Sequence, residues 1–186
     1  MRLFVAIQIP HEIRIALAGF VTELRSLAPQ VKWVRAENLH VTLKFLGETD
    51  PSKLELVLKT LQAIRRVRPI TLEFRGLGFF PSKKRARVLW AGMVSSANLP
   101  QLAQDIDRNL HALGFPGEAN PFTAHLTLAR FNPPGLPPSL AETVKQHSSR
   151  SFRSMTVQGF HLIESKLKSS GAEYTTLQSF PFVSEN

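Results

Sequence analysis

The stretch Asn38-Leu39-His40-Val41-Thr42-Leu43 returns 85 residues later as Thr123-Ala124-His125-Leu126-Thr127-Leu128, with His-x-Thr-Leu common to both. In each copy apolar residues alternate with the histidine and the threonine. A period of two is the mark of a half-buried strand, whose successive side chains point to opposite faces. Each copy therefore turns an imidazole and a hydroxyl to one face, about 6–7 Å apart along the strand. Val41 and Leu43, or Leu126 and Leu128, seal the other face against a core. A chain built around two such strands, nearly half its length apart, is constrained to bring two similar units together.

The rest of the pattern is read around these strands. Residues 2–9 form a strand, and Ile13, Ala16, Leu17, Phe20, Val21 and Leu24 recur at helical spacing, so a helix packs behind it. Residues 31–35 are a short extended piece. Asp50-Pro51 is a helix start, with the carboxylate as cap and proline at the first helical position. That helix carries Leu54, Val57, Leu58, Leu61 and Ile64 on one side and ends in Arg65, Arg66 and Arg68, cations that suit a helix C-terminus. Two β-rich runs, 70–80 and 87–94, flank a basic connection and form a hairpin. A helix over 99–113 stops at Gly114, the second motif strand covers 125–131, and a short helix covers 139–147. Residues 152–166 and 174–182 complete the chain as strands. The order is β-α-β-α-β-β-α-β-α-β-β, with strand–helix–strand–helix and one motif in each half. No linker separates the halves, so residues 1–186 are expected to form one α+β domain with two pseudo-symmetric lobes.

Charge and composition bound the function. Among 186 residues the formal net charge is +9, which favours an anionic partner, nucleic acid being the usual one. The absence of cysteine removes disulfides, thiolate nucleophiles and Cys-ligated zinc together. No run approaches the roughly 20 apolar residues of a membrane span, and the first ten residues read as a strand rather than a signal peptide. The expectation is a cytoplasmic protein.

Two imidazoles facing one cleft can divide acid–base work, because a histidine is easily held neutral or protonated near pH 7. One takes a proton from an attacking hydroxyl or water and the other gives one to the leaving oxygen. Thr42 and Thr127 are poor bases but good donors to anionic oxygens. The set fits in-line displacement at phosphorus with no metal required. A zinc site lacks a third ligand on either strand face. H-E-x-x-H, G-x-S-x-G, P-loop and G-x-G-x-x-G patterns are all absent. His11, His111, His147 and His161 stand alone and read as surface or packing residues.

These blocks together resemble the two-histidine phosphoesterase superfamily, specifically the RNA 2′,3′-cyclic phosphodiesterases also described as 2′-5′ RNA ligases. R-L-F-V-A-I opens the chain and W-V-R-A-E-N-L-H-V-T-L-K-F-L-G-E carries the first motif. R-V-L-W-A-G lies between, F-T-A-H-L-T-L-A-R carries the second, and L-I-E-S-K-L with G-A-E-Y closes it. The resemblance implies a bilobal α+β fold, with two antiparallel sheets forming a cleft and one motif strand from each lobe facing the other. It implies opening of a terminal ribose 2′,3′-cyclic phosphate to a 2′-phosphate, with no cofactor and no metal. His40 would be the proton donor to the departing 3′ oxygen, His125 the acceptor activating water, and Thr42 and Thr127 the phosphate ligands. The implied partners are RNA ends, tRNA fragments among them, met by a monomer. The same site run backwards would join a cyclic end to a 5′-hydroxyl.

Arg130 matches the arginine ending the family's second motif, where it would contact phosphate or stack on a base. Strict alternation sets it on the face opposite His125, so it serves the cleft only if the strand ends or bulges first. Lys83, Lys84 and Arg85 could track an RNA backbone or form a solvated hairpin tip. Phe45, Phe79, Phe80, Trp33 and Trp90 read as core. Two rivals stay open: an RNA-binding module without turnover, and a phosphodiesterase acting on 2′-5′ oligonucleotides or small cyclic nucleotides.

Overall fold

The computed structural model describes residues 1–64, 70–169 and 171–182. Two antiparallel sheets carry it. The first has the spatial order β3-β1-β8-β9, from β1 (Arg2–Gln8), β3 (His40–Glu48), β8 (Gly159–Lys168) and β9 (Gly171–Pro181). The second has the order β2-β6-β5-β4-β7, from β2 (Lys32–Trp33), β4 (Ile70–Phe80), β5 (Val88–Ser95), β6 (His125–Arg130) and β7 (Ser151–Val157). Four helices flank them: α1 (His11–Leu27), α2 (Leu54–Gln62), α3 (Asn98–His111) and α4 (Pro138–Gln146). No helix among the described residues is long and apolar enough to cross a membrane. Arg65, Arg66 and Arg68, expected at the end of α2, lie outside the described residues.

Local chemistry accounts for the elements. In β1 five consecutive residues, Leu3 to Ile7, are buried, as befits a strand covered on both faces. α1 buries Ile13, Leu17, Phe20, Val21 and Leu24, and α3 buries Leu99, Leu102, Ala103, Ile106 and Leu110, each set one helical stripe. The Asp50 carboxylate accepts a hydrogen bond from the Ser52 amide at 2.9 Å, and Pro51 begins the 3-10 turn that runs into α2. The apolar stripes join a core that runs without a break through both sheets.

Two features depart from the sequence reading. The sequence sets the first helix behind the first strand, yet α1 packs against β7 and α4 of the second sheet. Reciprocally, α3 follows β5 of the second sheet and packs against β3 of the first, and against α2. An amphipathic stripe says which face a helix buries, not which sheet receives it. The single strand expected over 152–166 is two. β7 ends at Val157 beside Ile70 of the second sheet, and β8 begins at Gly159 beside Pro181 of the first. The chain changes sheets across the exposed Gln158.

Gly159 makes that crossing possible. A Cβ there would lie 2.4 Å from the Phe180 carbonyl oxygen, a backbone atom that cannot step aside. Gly159→Ala should therefore prise β8 from β9 at their first pair and destabilise the fold by about 1–3 kcal/mol. A lowered urea midpoint at unchanged m-value is the expected reading.

Candidate active site

β3 is the outer strand of the first sheet and β6 lies near the outer end of the second, covered there only by the two residues of β2. The backbones of β3 and β6 come within 8 Å of one another, so the motif strands form the seam between the sheets. Along each, the alternation is as the sequence dictates. Val41, Leu43, Leu126 and Leu128 are buried, whereas His40, Thr42, His125 and Thr127 are half-buried on the opposite side.

The two imidazoles are held alike. His40 Nδ1 lies 2.7 Å from the Asn38 carbonyl oxygen and His125 Nδ1 lies 2.8 Å from that of Thr123, each two residues upstream. A carbonyl only accepts, so in both rings Nδ1 carries the hydrogen and Nε2 is the nitrogen left for substrate. Each ring also has an aromatic companion. Phe4 lies 4.8 Å from His40 between centroids, and Phe80 meets His125 edge-on at 4.9 Å. Tyr174 is a second companion of His40, meeting it edge-on at 5.2 Å. Burial among these rings pushes the His40 pKa below its usual value. The hydrogen bond to Asn38 opposes the shift, while the positive charges of Arg130 and His125 reinforce it. That His125 and Arg130 are felt at His40 places all three in one electrostatic environment.

Arg130 reaches this environment through a bulge. In β6, Thr127 pairs with Trp90 but Ala129 pairs with Leu89, so Leu128 is an extra residue and the alternation slips by one. Leu128 and Ala129 are both buried, and Arg130 returns to the face of His125 and Thr127. β3 does the same at the equivalent position. Thr42 pairs with Ala6 and Lys44 with Val5, leaving Leu43 extra. The slip turns Lys44 inward, where its side chain is fully buried, and turns Phe45 outward, 56% exposed and 6.1 Å from the Phe4 ring. Phe45, expected in the core, thus stands on the site face at the position corresponding to Arg130. The Lys44 ammonium donates to Asp107 of α3 at 2.5 Å and to the Pro116 carbonyl at 2.6 Å, pinning the back of the motif strand.

The other expectations divide. Lys83, Lys84 and Arg85 form an exposed 3-10 turn between β4 and β5, just beyond Phe80. Phe80 borders His125 rather than filling the core, and Trp90 shares the face of Thr127, its partner across the sheet. Tyr174 lies in the G-A-E-Y block, and nothing in the sequence pattern marks it for the site. His161, expected to stand alone, lies on the site face in the row Thr42-Ala6-His161, two strand spacings or about 10 Å from Thr42. Its Nδ1 is 3.0 Å from the Ser179 hydroxyl, and burial lowers its pKa. His147 packs edge-on against Phe20 and His111 bonds the Phe115 carbonyl, both packing roles. Among the described residues no three His, Asp or Glu side chains are grouped so as to hold a metal ion.

The sequence pattern of the LigT-like phosphoesterases matches residues 7–90 and 93–174, one motif in each segment. The chain belongs to this family. Its relatives include the RNA 2′,3′-cyclic phosphodiesterases of Archaeoglobus fulgidus, 37% identical over 97% of this chain and 99% of that one, and of Methanocaldococcus jannaschii, 32% identical over 97% and 100%. Among solved structures, TT0787 of Thermus thermophilus superposes with a TM-score of 0.82 at 32% identity, covering 98% of both chains. E. coli LigT complexed with 3′-AMP superposes at 0.79 with 27% identity, again over 98% of both. In this LigT-like phosphoesterase the two antiparallel sheets and their flanking helices thus match the family's two pseudo-symmetric halves.

The electrostatics give a test. Removing a positive charge favours imidazolium, so Arg130→Ala should raise the His40 pKa in the free protein. Filling the cleft with inorganic phosphate should raise it further toward or above the ordinary value of about 6.5. Both shifts are read from the pH dependence of the His40 ring protons by NMR.

Proposed function

We propose that this protein is an RNA 2′,3′-cyclic phosphodiesterase, converting a terminal cyclic phosphate to a 2′-phosphomonoester by metal-independent acid–base catalysis. The observation that carries the proposal is the equivalence of the two rings: each Nδ1–H is tied to the carbonyl two residues upstream, and each Nε2 is left for the reaction. The naming of full-length relatives for this activity supports the reading, as does the 3′-AMP complex of the E. coli relative.

In this mechanism His125 Nε2 takes a proton from water as the oxygen attacks phosphorus. The bond from phosphorus to the 3′ oxygen breaks in line, and His40 Nε2–H delivers the proton that oxygen needs. Thr42 and Thr127 donate hydroxyl hydrogens to the non-bridging oxygens, and Arg130 balances their growing charge. Burial biases His40 toward its neutral form in the empty cleft, against a donor's requirement. A phosphate anion between the rings reverses that bias, because an opposite charge favours the protonated imidazole. Phe45 offers an exposed face for the terminal base, and the turn at Lys83, Lys84 and Arg85 offers cations to the strand beyond it. The same site run in reverse would join a cyclic end to a 5′-hydroxyl, a minor path in water. The proposed setting is a cytoplasmic monomer of one two-lobed domain acting on RNA ends, tRNA fragments included.

A short RNA with a 2′,3′-cyclic end, incubated in excess EDTA, should yield the 2′-phosphate alone. His40→Ala and His125→Ala should each cost about 10²–10⁴-fold in kcat with little change in stability. Near-normal turnover by either variant would sink the assignment, and RNA affinity surviving in both without turnover in the wild type would point to a binding module. The pH profile should be bell-shaped. If His40 is the donor, activity falls as pH rises through its pKa, and this limb lies at higher pH in kcat than in kcat/KM. Phe45→Ala should raise KM more than it lowers kcat, by about 5- to 150-fold for a stacking contact of ~1–3 kcal/mol.

A further inference from the structure

A cavity of about 360 Å³ opens beside His40, on the side of the site away from Arg130's strand, and His40 and Tyr174 form part of its wall. Arg14 of α1 and Arg35, just before the 3-10 turn at Ala36–Asn38, line it as well. The Arg14 Nε is buried and has no hydrogen-bond partner among the described residues. An arginine cannot shed its charge to relieve that burial, so Arg14 brings a fixed positive charge to the cavity wall. A guanidinium fork matches phosphate geometry with two parallel hydrogen bonds, and a second arginine on the same cavity strengthens the case for an anion. Two carboxylates also border the cavity. Glu173 is neutralised by Lys168 at 2.5 Å, and Glu37 is exposed to screening solvent.

Because the cavity and the reaction site share His40, one substrate can occupy both. At an RNA 3′ end the terminal ribose carries two phosphates, the cyclic one that reacts and the diester at its 5′ oxygen. The volume lies near the lower end of the ~300–1,000 Å³ typical of small-ligand sites, enough for a ribose edge and one phosphate. We propose that this cavity is a second-phosphate subsite in which Arg14 and Arg35 grip the 5′ phosphate of the terminal nucleotide, selecting RNA ends over free cyclic nucleosides. This inference rests on the phosphoesterase reading of the cleft.

The test compares kcat/KM for adenosine 2′,3′-cyclic phosphate bearing a 5′-hydroxyl with that for the same compound bearing a 5′-phosphate. Wild type should favour the second by about tenfold or more at low salt, and the ratio should shrink as salt rises. Arg14→Gln and Arg35→Gln should each bring the ratio toward one, mainly through KM for the phosphorylated substrate. Lys145→Gln, an equal loss of charge on α4, should leave it in place. A wild-type ratio near one, a ratio untouched in both arginine variants, or an equal fall in Lys145→Gln overturns the subsite while leaving the reaction intact. If wild type opens neither substrate, the reaction assignment fails. Binding of 5′-AMP to wild type and to each arginine variant then decides the subsite separately, with unchanged affinity in both variants counting against it.

Discussion

Everything in the site depends on two strands from different sheets lying side by side. β3 and β6 meet at the seam, and neither sheet alone offers more than one imidazole and one hydroxyl from the repeated motif. The exchange of helices ties the two sheets together at the seam. α1 leaves the first sheet to pack on the second, and α3 does the reverse, so the apolar core runs beneath both motif strands. Close-packed interiors transmit strain instead of absorbing it, and the relative placement of the two rings inherits that stiffness.

The rings themselves are oriented from the backbone. Each is fixed through Nδ1 by a carbonyl two residues earlier in the chain, so the tautomer follows from the strand's own geometry. What differs between them is the surroundings. His40 sits between Phe4 and Tyr174 and is driven toward neutrality by burial, whereas His125 meets Phe80 on the more open side. The tethers are equal and the neighbours unequal, and an anion bound between the rings is what would offset the burial at His40.

Much of this was legible in the sequence, and the failures share a cause. The repeated motif announced both strands and the identity of the facing side chains, and helical spacing found the buried stripes of α1 and α3. Period-two reasoning, however, assumes an unbroken pleat. It could not see that Leu43 and Leu128 are extra residues, and so it sent Phe45 inward and left Arg130 conditional on a bulge. It read residues 152–166 as one strand because the apolar pattern carries straight through the change of sheet. The cavity at Arg14 was invisible for a different reason, since its wall is assembled from α1, the turn before β3 and the start of β9. Only tertiary structure brings those segments together.

The matched slips at Leu43 and Leu128 have a consequence for how such a chain can vary. The fifth residue after each histidine faces the cleft only because the pleat is broken on the way to it. Were β3 to zip against β1 without that break, Lys44 and Phe45 would trade faces. A ring would then press toward Asp107, and an ammonium would stand in the aromatic surroundings of His40. Side chains bordering the cleft are therefore negotiable one at a time, whereas the paired irregularities that aim them have to persist through any drift in sequence.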